Sequence, residues 1–394
     1  MAPRLQTESA LGGILIADFG RVLAGPYATM LLADLGADVV KIERPGTGDD
    51  TRSWGPPWVA GESTYFLGLN RNKRSATLDL GTREGLDAAR KLAGRADVVV
   101  ENFRPGTMDR LGLGYQQLKV HNPGLVYCSI TGFGPREGAS LPGYDLLVQA
   151  VGGLMSITGP DSSQPTKVGV ALVDVITGLH AAVGILAALR HRDRTGHGQQ
   201  VEVNLLSSLL SAMTNQAAAY LAAGTVPAAL GNRHPSIAPY EVFPTADRPL
   251  VIAVGNDRQF QALVGVLGLP GLADDPRFAT NPSRVAHRDD LFATLRTALL
   301  TRSADDWFAE LLSVGVPVGP INDIRQAFDL ASRLGLRSVV EIDDPARGGA
   351  CRQVANPISL SATPATYRQP PPRLGADDAG GHGPGLGSPG VRPD

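Results

Sequence analysis

Ile14-Leu-Ile-Ala-Asp-Phe19 and Ala37-Asp-Val-Val-Lys-Ile-Glu43 flank the stretch Tyr27-Ala-Thr-Met-Leu-Leu-Ala-Asp-Leu35. The two outer runs are short and apolar, with the character of buried strands, and the inner one has the length and Ala/Leu content of a helix. Strand, helix and strand in that order make a βαβ unit with parallel strands. The alternation continues through a helix at 83–93, the strand Asp97-Val-Val-Val-Glu101 and the strand Gly124-Leu-Val-Tyr-Cys-Ser-Ile130. An α/β fold with a doubly wound, mainly parallel sheet is therefore predicted.

Further on, Gln200-Val-Glu-Val203 reads as a strand leading into an apolar helix at 205–223. Composition then turns Gly/Pro-rich, and a smaller α+β unit follows from 224, with the strand Leu250-Val-Ile-Ala-Val254 and helices at 257–267, 288–300 and 304–314. A chain of 394 residues, 43 % hydrophobic, has material for two cores. From 376 the sequence is Gly/Pro-rich with little to bury, and a disordered tail is expected there. A net charge of −2 with scattered basic residues gives no footprint for nucleic acid. Cys128 and Cys351 are the only cysteines, so neither a disulfide framework nor a thiolate metal site is expected, and no metal-ligand cluster is visible. The N-terminus lacks the apolar core of a signal peptide, and a reducing cytoplasm is the expected compartment. The run 168–189 is long enough to span a membrane, but Asp174, Thr177, His180 and three glycines interrupt it, so a buried helix is expected and no membrane partner.

Asp174 is the lone carboxylate of that run. Lys167–Val173 reads as a short β-rich segment and Thr177–Arg190 as a buried helix, which puts Asp174 where strand becomes helix. The macrodipole would keep the acid ionised there, ready to act as a nucleophile. Aspartate is equally a favoured N-cap, and at this stage both readings stand.

Nucleotide fingerprints are missing: Phe19-Gly-Arg-Val-Leu-Ala-Gly-Pro26 is neither GxGxxG nor a P-loop, although Glu43 mimics the ribose-binding acid of NAD-dependent oxidoreductases. Basic residues are instead placed singly near the carboxyl edge of the sheet: Arg21, Arg44, Arg71, Lys73, Arg74, Arg104 and Arg110. That spacing suits a ligand with separated phosphates, and solvated surface is the alternative.

The runs Asp18-Phe-Gly-Arg-Val-Leu-Ala-Gly-Pro26, Asn72-Lys-Arg-Ser75, Glu101-Asn-Phe-Arg-Pro-Gly106, Ile130-Thr-Gly-Phe-Gly134, Gly143-Tyr-Asp145 and Gly184-Ile-Leu-Ala-Ala-Leu189 carry a resemblance. His234-Pro-Ser-Ile-Ala-Pro-Tyr240 and Gly315-Val-Pro-Val-Gly-Pro-Ile-Asn322 extend it. In order and spacing the chain resembles the family III CoA-transferases, which include formyl-CoA and carnitine CoA-transferases and are related to α-methylacyl-CoA racemases. The resemblance implies a Rossmann-like large domain built from both ends of the chain, 1–223 and 326–375, a small domain at 224–325, and an interlocked, ring-like homodimer. Its active site would lie between the large domain of one chain and the small domain of the other.

Carried over residue by residue, the resemblance makes Asp174 the catalytic aspartate and Arg44, Leu78, Asn102, Phe103, Arg104 and Arg110 the positions that line CoA. Coenzyme A and acyl-CoA would be substrates, with no permanently bound cofactor. Arg21, Leu23 and Tyr144 would face the substrate, and Gly231, Asn232 and His234 fall where some transferases carry a lid loop. The implied reaction moves CoA between carboxylic acids through an aspartyl–acyl anhydride and an aspartyl-CoA thioester, with Val170–Val173 and Ile176 excluding water and backbone N–H groups of the helix start holding the oxyanions. The rival racemase would need a His at Tyr144 and a Glu at Pro244, and a non-catalytic CoA-binding module is a further alternative. Leu23 and Gly231-Asn-Arg-His234 differ from the glutamine and tetraglycine of oxalate-using members, which disfavours oxalate; Leu23, Met155 and Val170 suit an apolar acyl group, while Arg21 or Arg233 would suit a dicarboxylate.

Overall fold

Strands β1 (Leu15–Asp18), β2 (Asp38–Glu43), β3 (Lys73–Thr77), β4 (Val98–Glu101), β5 (Val126–Thr131) and β6 (Gln200–Asn204) form one sheet in the spatial order β3-β2-β1-β4-β5-β6. Every pairing in it is parallel. This is the order of a doubly wound dinucleotide-type sheet. The structure is a computed structural model and describes residues 9–378.

Both faces of the central strands β1, β2, β4 and β5 are largely buried, which explains why these strands read as continuous apolar runs. Ile16, Val98, Val100, Val126, Cys128 and Ile130 pack with helices α1 (Ala24–Asp34), α4 (Leu172–Thr195) and α5 (Leu205–Ala212) on one face. Their strand neighbours Ala17, Val99 and Tyr127 point the other way, into a core shared with Ala89 and Ala93 of α2 (Arg83–Arg95). Helix α3 (Asp145–Val151) precedes α4, and α6 (Thr214–Ala223) follows α5. The single helix expected at 205–223 is thus two, broken at Thr214, whose φ is +34°. Helix α4 is the one helix among the described residues long and apolar enough to cross a membrane, yet Val173, Thr177, Ala181, Ile185 and Ala188 are fully buried in the core of the sheet.

Strand β3 had no apolar signature because its inward side chains are charged or polar. Lys73 and Ser75 are buried and reach Asp18 and Glu43. At the far end of α1, Asp34 is fully buried and accepts from Arg71 Nε and Nη2 at 2.9 and 2.7 Å, Asn72 Nδ2 at 2.8 Å and Asn356 Nδ2 at 3.2 Å. One carboxylate therefore ties three distant segments together.

The described residues divide into two units. The first contains 9–154, 168–225 and 337–378, and the second contains 155–167 and 226–336. The excursion 155–167 was not expected. The return to the first unit comes at 337, later than 326, because the helix Ile324–Arg333 belongs to the second unit. Asp377 and Asp378 accept from the backbone N–H groups of Ser75 and Thr77 at 2.9 and 2.6 Å, so the chain is still fastened to β3 where a tail was expected to begin. The rest of that expected tail, 379–394, lies outside the described residues. The second unit is α+β: strands β7 (Tyr240–Phe243), β8 (Leu250–Ala253) and β9 (Val318–Pro320) form an antiparallel sheet. Helices α7 (Asp257–Val266), α8 (Arg288–Leu299) and α9 (Ala304–Ser313) bury Phe260, Leu263, Leu295 and Trp307 against it.

Removing Asp34 leaves a guanidinium that is 2 % exposed without its counter-charge. Asp34→Ala is expected to lower the unfolding free energy by about 3–5 kcal/mol. Asp38→Ala breaks the pair with Arg74, in which the Asp38 side chain is 52 % exposed, and is expected to cost less than about 1 kcal/mol. Urea denaturation of the two variants measures the contrast.

Candidate active site

The strand order reverses between β1 and β4, so the connections after these two strands leave in opposite directions and a crevice opens beyond their carboxyl ends. Two segments meet there. Arg21 N donates to Asn102 Oδ1 and Asn102 Nδ2 donates to Arg21 O, both at 2.8 Å, which locks the loop after β1 to the residue after β4. Gly20 N donates to Asp18 Oδ1 and Gly20 O accepts from Lys41 Nζ, each at 2.8 Å. A Cβ at Gly20 would stand 2.8 Å from Asp18 Oδ1 and 3.2 Å from Gly25 Cα, so only glycine fits. Val22 has φ +66°, an uncommon conformation for a β-branched residue, and its N–H faces both Asp49 carboxylate oxygens at 3.3 Å. Asn102, expected to line CoA, spends both polar atoms of its side chain on this loop.

Asp174 is not the N-cap, and Lys167–Val173 is not a strand. Helix α4 starts at Leu172, with Ala171 in the cap position and no side-chain cap, and Asp174 lies in its first turn. The cap comes from another helix: Asp145 Oδ1 accepts from Val173 N at 2.8 Å and Asp174 N at 3.3 Å. The other Asp145 oxygen accepts from Gln149 Nε2 at 2.5 Å, and the fully buried Gln149 accepts from Val168 N at 2.9 Å. Leu172 N and Val175 N donate to Val170 O and Ala171 O. The first N–H groups of α4 are thus occupied, against the expectation that they would stabilise oxyanions.

This arrangement reverses the expected electrostatics of Asp174. Burial, and then the neighbouring Asp145 charge, push its carboxyl up to about 7. Among the described residues its carboxylate has no hydrogen-bond or ion-pair partner. Tyr65 senses the same site: burial first, then Asp174, Asp145 and Asp49, push its phenol up to about 12. Asp49 itself is held down at about 2, because Lys41 and the N–H and hydroxyl of Thr51 outweigh its burial. A Cβ at Gly178 would lie 2.7 Å from Ala24 O, so the second turn of α4 rests on the first residue of α1. The start of α4, Tyr65, Asp49 and the 19–23 loop are therefore neighbours.

Other sequence-derived residues divide by solvent exposure. Arg44, Arg104 and Arg110 are exposed; Arg44 has no side-chain partner among the described residues, and Arg110 Nη2 donates to Thr107 Oγ1 at 3.2 Å. Leu78 and Phe103 are half-buried on the core that holds Phe19 and Ile42. Arg104 also lines a cavity of about 180 Å³ with Glu101, Tyr127 and Ser129, where burial lifts Glu101 to about 7 against hydrogen bonds from Ser129 and Phe103 N. Leu23 is buried, Tyr144 is 65 % exposed at the cap of α3, and Val170, expected as a wall, is 62 % exposed. Arg71 and Lys73 are buried structural cations instead of ligand contacts. Glu43 is no ribose acid: it accepts from Arg52, Ser75 Oγ and Asp49 N.

Gly231, Asn232 and His234 lie in the second unit. Gly231 has φ +61° and donates to Gly159 O, and the His234 ring stands 5.2 Å from that of Tyr240. Sequence reasoning missed Asp145, Gln149 and Tyr65 as parts of the Asp174 site. Asp145 was visible only as a member of the Gly143-Tyr-Asp145 motif, and Tyr65 carried no signal in its segment.

A sequence model described as CoA-transferase family III matches residues 11–378. The succinate–glutarate CoA-transferase of Agrobacterium fabrum is 45 % identical, covering 94 % of each chain. The acetyl-CoA:oxalate CoA-transferase of Acetobacter aceti is 41 % identical over 92 % of this chain and 91 % of its own. Among solved structures, a CaiB/BaiF family protein from Brucella suis superposes with a TM-score of 0.83 at 42 % identity, covering 93 % of this chain and 97 % of that one. With the family matched almost from end to end and the relatives close in length and sequence, the chain belongs to CoA-transferase family III and is an acyl-CoA:carboxylate CoA-transferase.

Proposed function

We propose that Asp174 is the nucleophile of this transfer. The observation that carries the reading is a desolvated carboxylate without a counter-charge, placed beside the switch-point crevice and raised in basicity by burial and by Asp145. Raised basicity and poor solvation both strengthen a carboxylate nucleophile. Its oxygen attacks the carbonyl carbon of the donor acyl-CoA, the C–S bond breaks, and CoA thiolate leaves an aspartyl–acyl anhydride. The thiolate then attacks the aspartyl carbonyl, expelling the donor acid as its carboxylate and forming the aspartyl-CoA thioester. An acceptor carboxylate attacks that thioester to give a second anhydride, and the returning thiolate releases acceptor acyl-CoA and the free Asp174 carboxylate. The thioester bond energy is kept throughout, so no nucleotide is consumed.

The exposed cations Arg44, Arg104 and Arg110 are assigned to the phosphates of CoA, and half-buried Leu78 and Phe103 to its apolar contacts. Asn102 acts through the Arg21 loop. The substrate acids are proposed to be dicarboxylates, because the relatives reported above are named for succinate, glutarate and oxalate. We also assign a homodimer of interlocked chains. Leu179, Val183 and Leu186 of α4 are 43, 65 and 37 % exposed, an apolar stripe at i, i+4 and i+7 that a second copy would cover. The Gly231–His234 loop of the partner would then close the site.

Asp174→Ala is expected to abolish both CoA exchange between acids and the covalent adduct seen by mass analysis of trapped enzyme; retained turnover would refute the assignment. Because only the ionised carboxylate attacks, kcat/KM is expected to fall on acidification through an apparent pKa near 7, and Asp145→Asn to move that limb to lower pH. Stability carries the opposite sign. Between about pH 4 and 7 the folded state holds a proton that the unfolded chain has released, so stability declines as pH rises through that window. Asp174→Asn is therefore expected to stabilise the fold by about 4 kcal/mol at pH 8 and by less than about 1 kcal/mol at pH 4, as read by urea titration. Sedimentation velocity checks the dimer, with twice the chain mass expected.

A further inference from the structure

A dicarboxylic acyl group brings two carboxylates to the site, and only one of them reacts. The other remains charged, and it enters a region where Tyr65 already feels the negative charges of Asp174, Asp145 and Asp49. Binding there requires a cation with donors to spare.

The basic side chains of this part of the first unit are nearly all committed. Lys41 is buried against Asp49 at 2.8 Å and donates to Gly20 O. Lys73 is buried against Asp18 at 3.1 Å, with Pro26 O and Asn70 Oδ1 as further acceptors. Arg52 spends Nε and Nη2 on Glu43, both at 2.7 Å, and lies over the Phe66 ring. Arg71 forms its fork with buried Asp34. In the second unit Arg233 is held by Glu241 at 3.1 Å and Asp289 at 2.8 Å. Arg21 differs from all of these. Its side chain is 35 % exposed and touches one acid, Asp50, through Nη2 alone, which leaves Nε and Nη1 without partners among the described residues.

The backbone that carries Arg21 is over-determined. Its N–H and C=O are both held by Asn102, the residue before it is fixed by Asp18 and Lys41, and the residue after it is in the left-handed region with its N–H on Asp49. A sparsely populated conformation kept in place by this many bonds is a mark of a functional position. The distal carboxylate would accept from Nη1 or Nε, the donors that Asp50 leaves open, while Asp50 holds the guanidinium plane in place.

We propose that Arg21 is the specificity-determining residue that binds the unreacted carboxylate of a dicarboxylic substrate, with Asp50 orienting it. The proposal rests on the transferase mechanism assigned above to Asp174.

The test compares glutarate with butyrate, a monocarboxylate of similar length, as acceptors in wild type and Arg21→Met, using one acyl-CoA donor. Wild type prefers glutarate. In Arg21→Met, kcat/KM for glutarate falls by about 100-fold, while that for butyrate stays within about threefold, so the preference collapses. A glutarate-to-butyrate ratio unchanged by the substitution overturns the proposal, as does a wild type indifferent to the distal carboxylate. Should Arg21→Met unfold, as its urea midpoint would show, Arg21→Lys decides: keeping the glutarate preference supports the assignment, and losing it with the fold intact overturns it. Failure of the underlying mechanism has a different signature, namely wild-type transfer to both acids without any adduct on Asp174.

Discussion

Lys41 and Lys73 place two ammonium groups beneath the crevice with no side-chain surface open to water. An uncompensated ammonium at such a depth costs several kcal/mol, so each must be surrounded by acceptors. For Lys73, burial outweighs the attraction of Asp18 and lowers its affinity for a proton to about 8; for Lys41, burial is overcome by Asp49, Asp18 and Glu43. The acceptors that satisfy the pair are the residues that shape the site: Asp18 at the end of β1, Gly20 O and Pro26 O on either side of the Arg21 loop, and Asp49 before the turn that carries Asp50. The two charges therefore dictate the path of the chain around the crevice. They also explain why strand β3 is buried although it begins with Lys-Arg-Ser.

Asp174 shows how burial, joined by a neighbouring acid, can overrule a helix dipole. The first N–H groups of α4 would lower the affinity of a nearby carboxylate for its proton if they were free to point at it. Asp145 takes two of them, and with them most of that benefit, while adding its own negative charge at close range. The outcome is a basic carboxylate instead of a stabilised one. For the nucleophilic role proposed above, this is the more useful state, since the ion that forms near neutral pH is poorly solvated and has no counter-ion to lose before reacting.

The cations of the first unit serve two purposes, separated by exposure. Lys41, Arg52, Arg71 and Lys73 are buried and paired, and they hold strands, loops and the returning C-terminal segment in place. Arg44, Arg104 and Arg110 are exposed, and these are the cations assigned above, as a proposal, to the phosphates of a CoA substrate. Arg21 stands between these groups, with its backbone as fixed as a structural residue and its guanidinium only half used. The tertiary structure draws this division; the spacing of basic residues along the chain does not.

Much of the fold was legible in the chain because it follows from local pattern. Apolar runs of strand length alternating with Ala/Leu-rich stretches specify parallel strands, and β1, β2, β4, β5 and β6 lie within one or two residues of where those runs predict them. The order of motifs likewise indicated the family. What the pattern could not supply was pairing between residues far apart in sequence. Lys73 and Ser75 look like surface residues until Asp18 and Glu43 meet them. Asn102 looks like a ligand contact until Arg21 occupies it. The raised basicity of Asp174 depended first on its burial and then on Asp145, 29 residues earlier, reaching the start of α4. Hydrophobic periodicity is a property of neighbours along the chain, so sequence alone determined the sheet and its helices. Burial and charge balance are properties of neighbours in space, so only the tertiary structure decided which polar residues hold the fold and which remain free for substrate.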